Sequence, residues 1–152
     1  MKKKILIVVV VLVLIGVGYG VKEFMRTRPD SKSVTPKFTV TAVDIIKEFE
    51  TNEAAATKKY LAANSIIQVS GEVKDIKQDE KGYYTVMLGT QESMSTVQCS
   101  MDTLYTADLK DLKPQQKATI KGVFTGFNSD DTGLLGSDVK LNLCVLVIDK
   151  NQ

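Results

Sequence analysis

Ile67, Val69, Gly71 and Val73 alternate with Gln68, Ser70, Glu72 and Lys74. This period of two predicts a half-buried β-strand over residues 65–76. A single glycine inside so long a run is where the strand is expected to bend around a small barrel. Residues 78–82 form a polar turn. Beyond it Tyr84, Val86 and Leu88 alternate with Tyr83, Thr85 and Met87, completing a predicted β-hairpin. Val97, Cys99 and Met101 are in register for a third strand over 95–101, and residues 103–112 read as a short helix or turn before Pro114. Residues 117–125 and 138–148 supply two more strands.

Upstream the period changes. Val43, Ile45, Ile46 and Phe49 are spaced for a helix over 41–50, with Thr41 and Asp44 resembling a capping box in which Asp replaces Glu. Asn52 is placed to cap a second helix over 53–62, with Glu53 in its first turn and Lys58 and Lys59 near its end. Ala54, Thr57 and Leu61 would be its inward face. Residues 26–37 hold two prolines among small polar and charged residues and bury little, so they predict an extended tether.

The N-terminus reads differently from the rest. Lys2, Lys3 and Lys4 precede residues 5–21, an uncharged apolar run of about 17 residues, the low end for a membrane-spanning helix and longer than a signal-peptide core. A retained single-pass anchor is the expectation, with the N-terminus cytoplasmic and the remainder extracytoplasmic. Gly18-Tyr19-Gly20 offers the alternative of cleavage and secretion. Lys22, Arg26 and Arg28 after the span weaken the charge bias, and the short N-terminal tail decides the orientation. Gly16 and Gly20 have the spacing of a helix-packing pair, but glycine is common in membrane helices. The expected organisation is an anchor at 1–22, a flexible linker at 23–40 and a folded domain at 41–150.

Composition narrows the function. The chain has 152 residues, 25% charged and 43% hydrophobic, enough for one globular domain and a short extra segment. Its formal net charge of +2 creates no strong field for polyanions. It has no histidine, which excludes histidine-based triads and zincin sites. No phosphate-cradling glycine loop, acid–base pair or metal cluster is present, so a non-catalytic role without cofactor is expected.

Two helices, three strands, a short helix and two strands suit a mainly β fold: a five-stranded OB-fold barrel preceded by two short helices and a transmembrane helix. The chain also resembles the exported or lipid-anchored OB proteins called tRNA-anticodon-binding-like. The resemblance covers roughly 41–147 and rests on NEAAATKKYLAANSIIQVSGEV, the VQC at 97–99, LKPQQKATIKGVFTG and the LNLC at 141–144. The chain departs from it in lacking a lipobox cysteine and in having Pro114-Gln115-Gln116 where Lys-Gly-Gln is usual. The resemblance implies an envelope protein of this fold, and its name points to nucleic acid by analogy alone.

Cys99 and Cys144 resemble the two cysteines typical of that family. Export permits a disulfide, and the third and fifth strands of such a barrel are neighbours. Yet Cys99 alternates with core residues and Cys144 with Lys140 and Asn142, so parity favours two buried free thiols. In residues 128–133, oxygen side chains precede a glycine as in half a calcium loop, but Val139 stands where the bidentate glutamate belongs, so a polar loop is expected. OB-folds bind along the outer face of their second and third strands. Here that predicts Lys74, Tyr83, Thr85, Thr96 and Gln98, with Phe127 from a loop, as the ligand face. The expected role is a membrane-anchored, extracytoplasmic binding module for an envelope protein or small ligand. The alternative is a single-stranded nucleic acid binder, which the sparse aromatics and balanced charge argue against.

Overall fold

The structure is a computed structural model that describes residue 16 and residues 31–61, 66–130, 132 and 134–147. The expected anchor at 5–21 and the linker up to residue 30 are, but for residue 16, outside the described residues. Among the described residues no helix is long and apolar enough to cross a membrane. The elements are β1 (Phe38–Thr41), α1 (Ala42–Thr51), α2 (Glu53–Leu61), β2 (Ile66–Gln78), β3 (Tyr84–Gly89), β4 (Thr96–Met101), a 3₁₀ helix (Thr103–Leu109), β5 (Lys117–Asn128) and β6 (Asp138–Leu146).

Five strands close a barrel in the order β2-β3-β4-β6-β5 and back to β2. Only β4 and β6 run parallel within it; the other barrel neighbours are antiparallel. This is the OB-fold order, and it works because β2 is long enough to pair twice. Residues Ile66 to Glu72 bond to β5, and Glu72 to Gln78 bond to β3. Ile67, Val69, Val73, Val86, Leu88, Val97, Cys99, Ile120, Val139 and Leu141 fill the interior. Each such side chain contributes about 1.5 to 3 kcal/mol on burial.

Both helix starts form as their sequences predict. Thr41 Oγ1 accepts the Asp44 N–H at 3.1 Å and donates to the Asp44 carboxylate at 2.7 Å, so one residue pair satisfies an orphan amide and holds the cap. Asn52 Oδ1 accepts the Ala55 N–H at 3.0 Å. Helix α1 then closes one end of the barrel through Ala42, Ile45, Ile46 and Phe49, while Val43, expected inward, is exposed.

Several expectations need correction. Residues 38–40, expected in the linker, belong to β1, which pairs parallel with β2 from Phe38↔Ile67 to Thr41↔Ser70. Four residues are too few to show a period of two beside a proline-containing segment. Residues 31–37 also lie along the barrel: the Lys121 ammonium donates to the carbonyls of Lys32 at 3.0 Å and Val34 at 3.2 Å. In α2 the inward face is Ala56 and Tyr60, with Ala54 and Leu61 exposed. The Tyr60 ring settles that rotation by packing edge-on to Phe38, centroids 5.2 Å apart, while its hydroxyl donates to Glu48 at 2.9 Å.

Beside Gly71, at Glu72, β2 passes from β5 to β3 as its partner. Pairing with β5 runs unbroken through Gly71↔Ala118, whereas the register with β3 shifts between Val73 and Asp75. Gly71 also allows close packing, since a Cβ there would sit 2.9 Å from the Cβ of Ala42. A second irregularity overturns the parity argument for the cysteines. Leu143 takes φ of 51°, and β6 spends three steps, Leu141 to Cys144, opposite two on β4, Cys99 to Met101. The extra residue turns Cys144 inward, and both thiols are fully buried and unbonded.

Candidate functional site

The outer surface of β3 and β4 is built by alternation. With Val86, Leu88, Val97 and Cys99 committed to the core, Thr85, Met87, Gln98 and Ser100 point the other way. They pair across the strands as Thr85↔Ser100 and Met87↔Gln98, with Lys77 of β2 opposite Thr85. Tyr83 heads this row at 51% exposure and is the one large exposed aromatic among the described residues.

The turn that carries Tyr83 is braced from within. Gly82 adopts φ of 84°, open to glycine at little steric cost, and its N–H donates to the Asp79 carbonyl at 3.0 Å. The Asp79 carboxylate accepts the N–H of Lys81 at 2.9 Å and of Tyr83 at 2.8 Å. Asp79, inside the polar turn read over residues 78–82, therefore positions Tyr83.

Three of the six residues expected on the ligand face meet there: Tyr83, Thr85 and Gln98. The other three are engaged elsewhere. Lys74 lays its stem over Gly89 and donates to the Ser93 carbonyl. Thr96 is buried and its hydroxyl donates to Asp138. Phe127 packs against the core, its ring stacked on Phe49 with centroids 4.8 Å apart.

The loop before β6 uses its carboxylate internally. Asp130 accepts from the Thr132 hydroxyl and from the N–H groups of Thr132, Leu135 and Gly136. The Thr132 hydroxyl, followed by the Leu135 amide, holds this carboxyl well below the usual carboxylate range. Gly136, at φ of 79°, lies so close to Met94 and Ser95 that a Cβ would overlap their backbone. Ser95 ties both loops to α1, donating to Glu50 at 2.9 Å and accepting the Ser137 N–H at 3.0 Å. No group of three or more metal-ligating side chains occurs among the described residues.

Two concavities fall outside the sequence-based expectation. One, of about 660 Å³, opens at the α1 N-terminus between Ser70, Glu72, Gly89, Lys117 and Leu146. The other, of about 580 Å³, lies between β1 and the two helices and carries Asp44, Lys47, Glu48 and Lys59. In the second, Glu48 and Lys59 are paired with each other at 2.8 Å. Both concavities are assembled from segments distant in sequence, so no local motif announces them.

Structural comparison finds the same fold in other proteins. A provisionally assigned nucleic acid-binding lipoprotein from Klebsiella pneumoniae superposes with a TM-score of 0.55 at 18% identity, covering 81% of this chain and all of that one. Weaker likenesses, which carry no argument, are to asparaginyl-tRNA synthetase of Entamoeba histolytica in complex with asparaginyl-adenylate and to yeast Stn1 and Ten1. The first has a TM-score of 0.37 at 13% identity and covers 61% of this chain and 26% of that one. The second has a TM-score of 0.42 at 16% identity and covers 80% and 68%. No curated protein matches the sequence. The tRNA_anti-like family profile matches residues 1–138, and the chain, with its closed OB barrel, belongs to that family.

Proposed function

We propose that this protein is a membrane-anchored, extracytoplasmic, non-catalytic binding module that receives an envelope protein or small ligand on the outer face of β3 and β4. The observation that carries the reading is Tyr83, exposed at the head of the polar row made with Thr85 and Gln98. The other described aromatic side chains are buried or half-buried. A rigid aromatic with an apolar face and a polar tip is a favourable contact residue, and here the Asp79 turn holds it in place. The apolar run at 5–21 supports the anchor.

The test is a photo-crosslinking amino acid placed at position 83 of the full chain in its native membrane. A discrete adduct that is absent when the same group stands at the buried position 96 is expected. Equal labelling from both positions, or none from position 83, would defeat the reading.

A second reading, single-stranded nucleic acid binding, is favoured by the assignment of the Klebsiella neighbour and by the family name. Binders of that kind combine a basic groove with several stacking aromatics. This face offers one aromatic, and its Lys77 is 3.9 Å from Asp75. The first reading therefore stands ahead.

A further inference from the structure

The buried sulfurs of Cys99 and Cys144 have an arrangement that the proposed binding role does not use. Cys99 faces Leu141 and Met101 faces Cys144, so the cysteines are diagonal neighbours on the parallel β4–β6 seam. The bulge at Leu143 turns Cys144 into the core cluster that also holds Cys99. Opposite, on β5, Gly122 leaves room for the sulfur: a Cβ there would lie 2.5 Å from Cys144 Sγ. Burial pushes the Cys144 thiol well above its ordinary range, and the adjacent Cys99 adds to the effect. In the folded barrel both sulfurs are shielded from solvent, and the Cys144 thiol is slow to react because the thiolate is the attacking species.

We propose that Cys99 and Cys144 form an intramolecular disulfide when the chain folds in the presence of a small-molecule disulfide donor, joining β4 to β6. The exchange balances without another reactant. One protein thiolate attacks the donor and releases the first small thiol, and the second protein thiolate attacks the mixed disulfide and releases the other. The protein dithiol is oxidised by two electrons and the donor is reduced to two thiols. Closure belongs to folding, before the barrel shuts the sulfurs away, which suits an oxidising compartment. The bond would tie the two strands whose parallel pairing completes the barrel, and a long closed loop favours stabilisation.

The full chain, unfolded in urea with detergent and refolded with oxidised and reduced glutathione, should lose two hydrogen masses. It should also yield a crosslinked peptide pair containing Cys99 and Cys144. Melting of this product should occur several degrees above that of the chain refolded in dithiothreitol, and later reduction should abolish the difference. Cys99→Ala and Cys144→Ala should each leave one titratable thiol and no redox-dependent melting shift. Two free thiols after refolding, only glutathione adducts or intermolecular dimers, or a crosslinked chain that melts lower than the reduced one would each overturn the proposal.

Discussion

The ring of Phe127 lies on that of Phe49, centroids 4.8 Å apart and planes 21° from parallel. Phe49 also stacks on Phe124 at 5.1 Å and on Tyr60 at 5.8 Å, so α1 is held to the barrel by an aromatic cluster. The sequence suggests Phe127 as a loop aromatic and so a ligand platform; the residue lies instead in β5, opposite Val139, and closes the core. Phe49→Ala should destabilise by about 3 to 5 kcal/mol in urea unfolding, and Phe127→Ala by less because it is half-buried. Equal stability of Phe127→Ala and wild type would release that ring for binding.

Tyr83→Ala should leave stability within about 0.5 kcal/mol, since its side chain is exposed. Mixed DNA and RNA oligonucleotides, followed by fluorescence anisotropy at low and physiological salt, should show no micromolar binding to the protein. Each stacked base contributes about 1 to 3 kcal/mol, and the face has one exposed aromatic. Tight binding at physiological salt that Tyr83→Ala weakens would promote the nucleic acid reading.

Gln115 occupies the left-handed region at φ of 70° while its N–H donates to the Val73 carbonyl at 2.7 Å. It stands where glycine is usual in the sequences that this chain resembles. The backbone bond holds the strained residue in place, so Gln115→Gly should stabilise by about 0.5 to 1 kcal/mol, the relief of strain exceeding the added entropy of the unfolded chain. A lower urea midpoint for Gln115→Gly would contradict this.

Glu48, Lys59 and Tyr60 form a hydrogen-bonded group, with Lys59 Nζ 2.8 Å from Glu48 Oε2. The Lys59 ammonium lowers the Glu48 carboxyl below 4.5, and Glu48 raises Lys59 above 10.5. Glu48 thus adds stability above pH 4.5 that is lost as pH falls through its folded value. Lys59 adds stability below pH 10.5 that is lost as pH rises through its own. Both groups are largely solvated, so the contribution is small. In urea titrations, Glu48→Gln should flatten the acid limb of the stability profile and lower the plateau slightly. An unchanged acid limb would show that the pair adds nothing.

Carbonate washing of membranes should leave the intact chain in the pellet, because the apolar run at 5–21 is long enough to span. Recovery in the wash, or a mature N-terminus near residue 21, would replace the anchor with a cleaved signal.

The five barrel strands, both helix caps and the OB order were legible in the sequence because alternation, helical spacing and capping are local. Tyr83, Thr85 and Gln98 followed from that alternation alone. What the tertiary structure decided were the positions where local rules are broken by a partner. The register shift near Lys74 and the left-handed Leu143 each change which residues face inward, and a bulge is visible only once the opposing strand is paired. Lys74, Thr96 and Phe127 do not join the row expected as a ligand face because Ser93, Asp138 and Phe49 engage them from segments distant in sequence. The same cause hid β1, whose four residues become a strand only against β2, and brought Cys144 to Cys99.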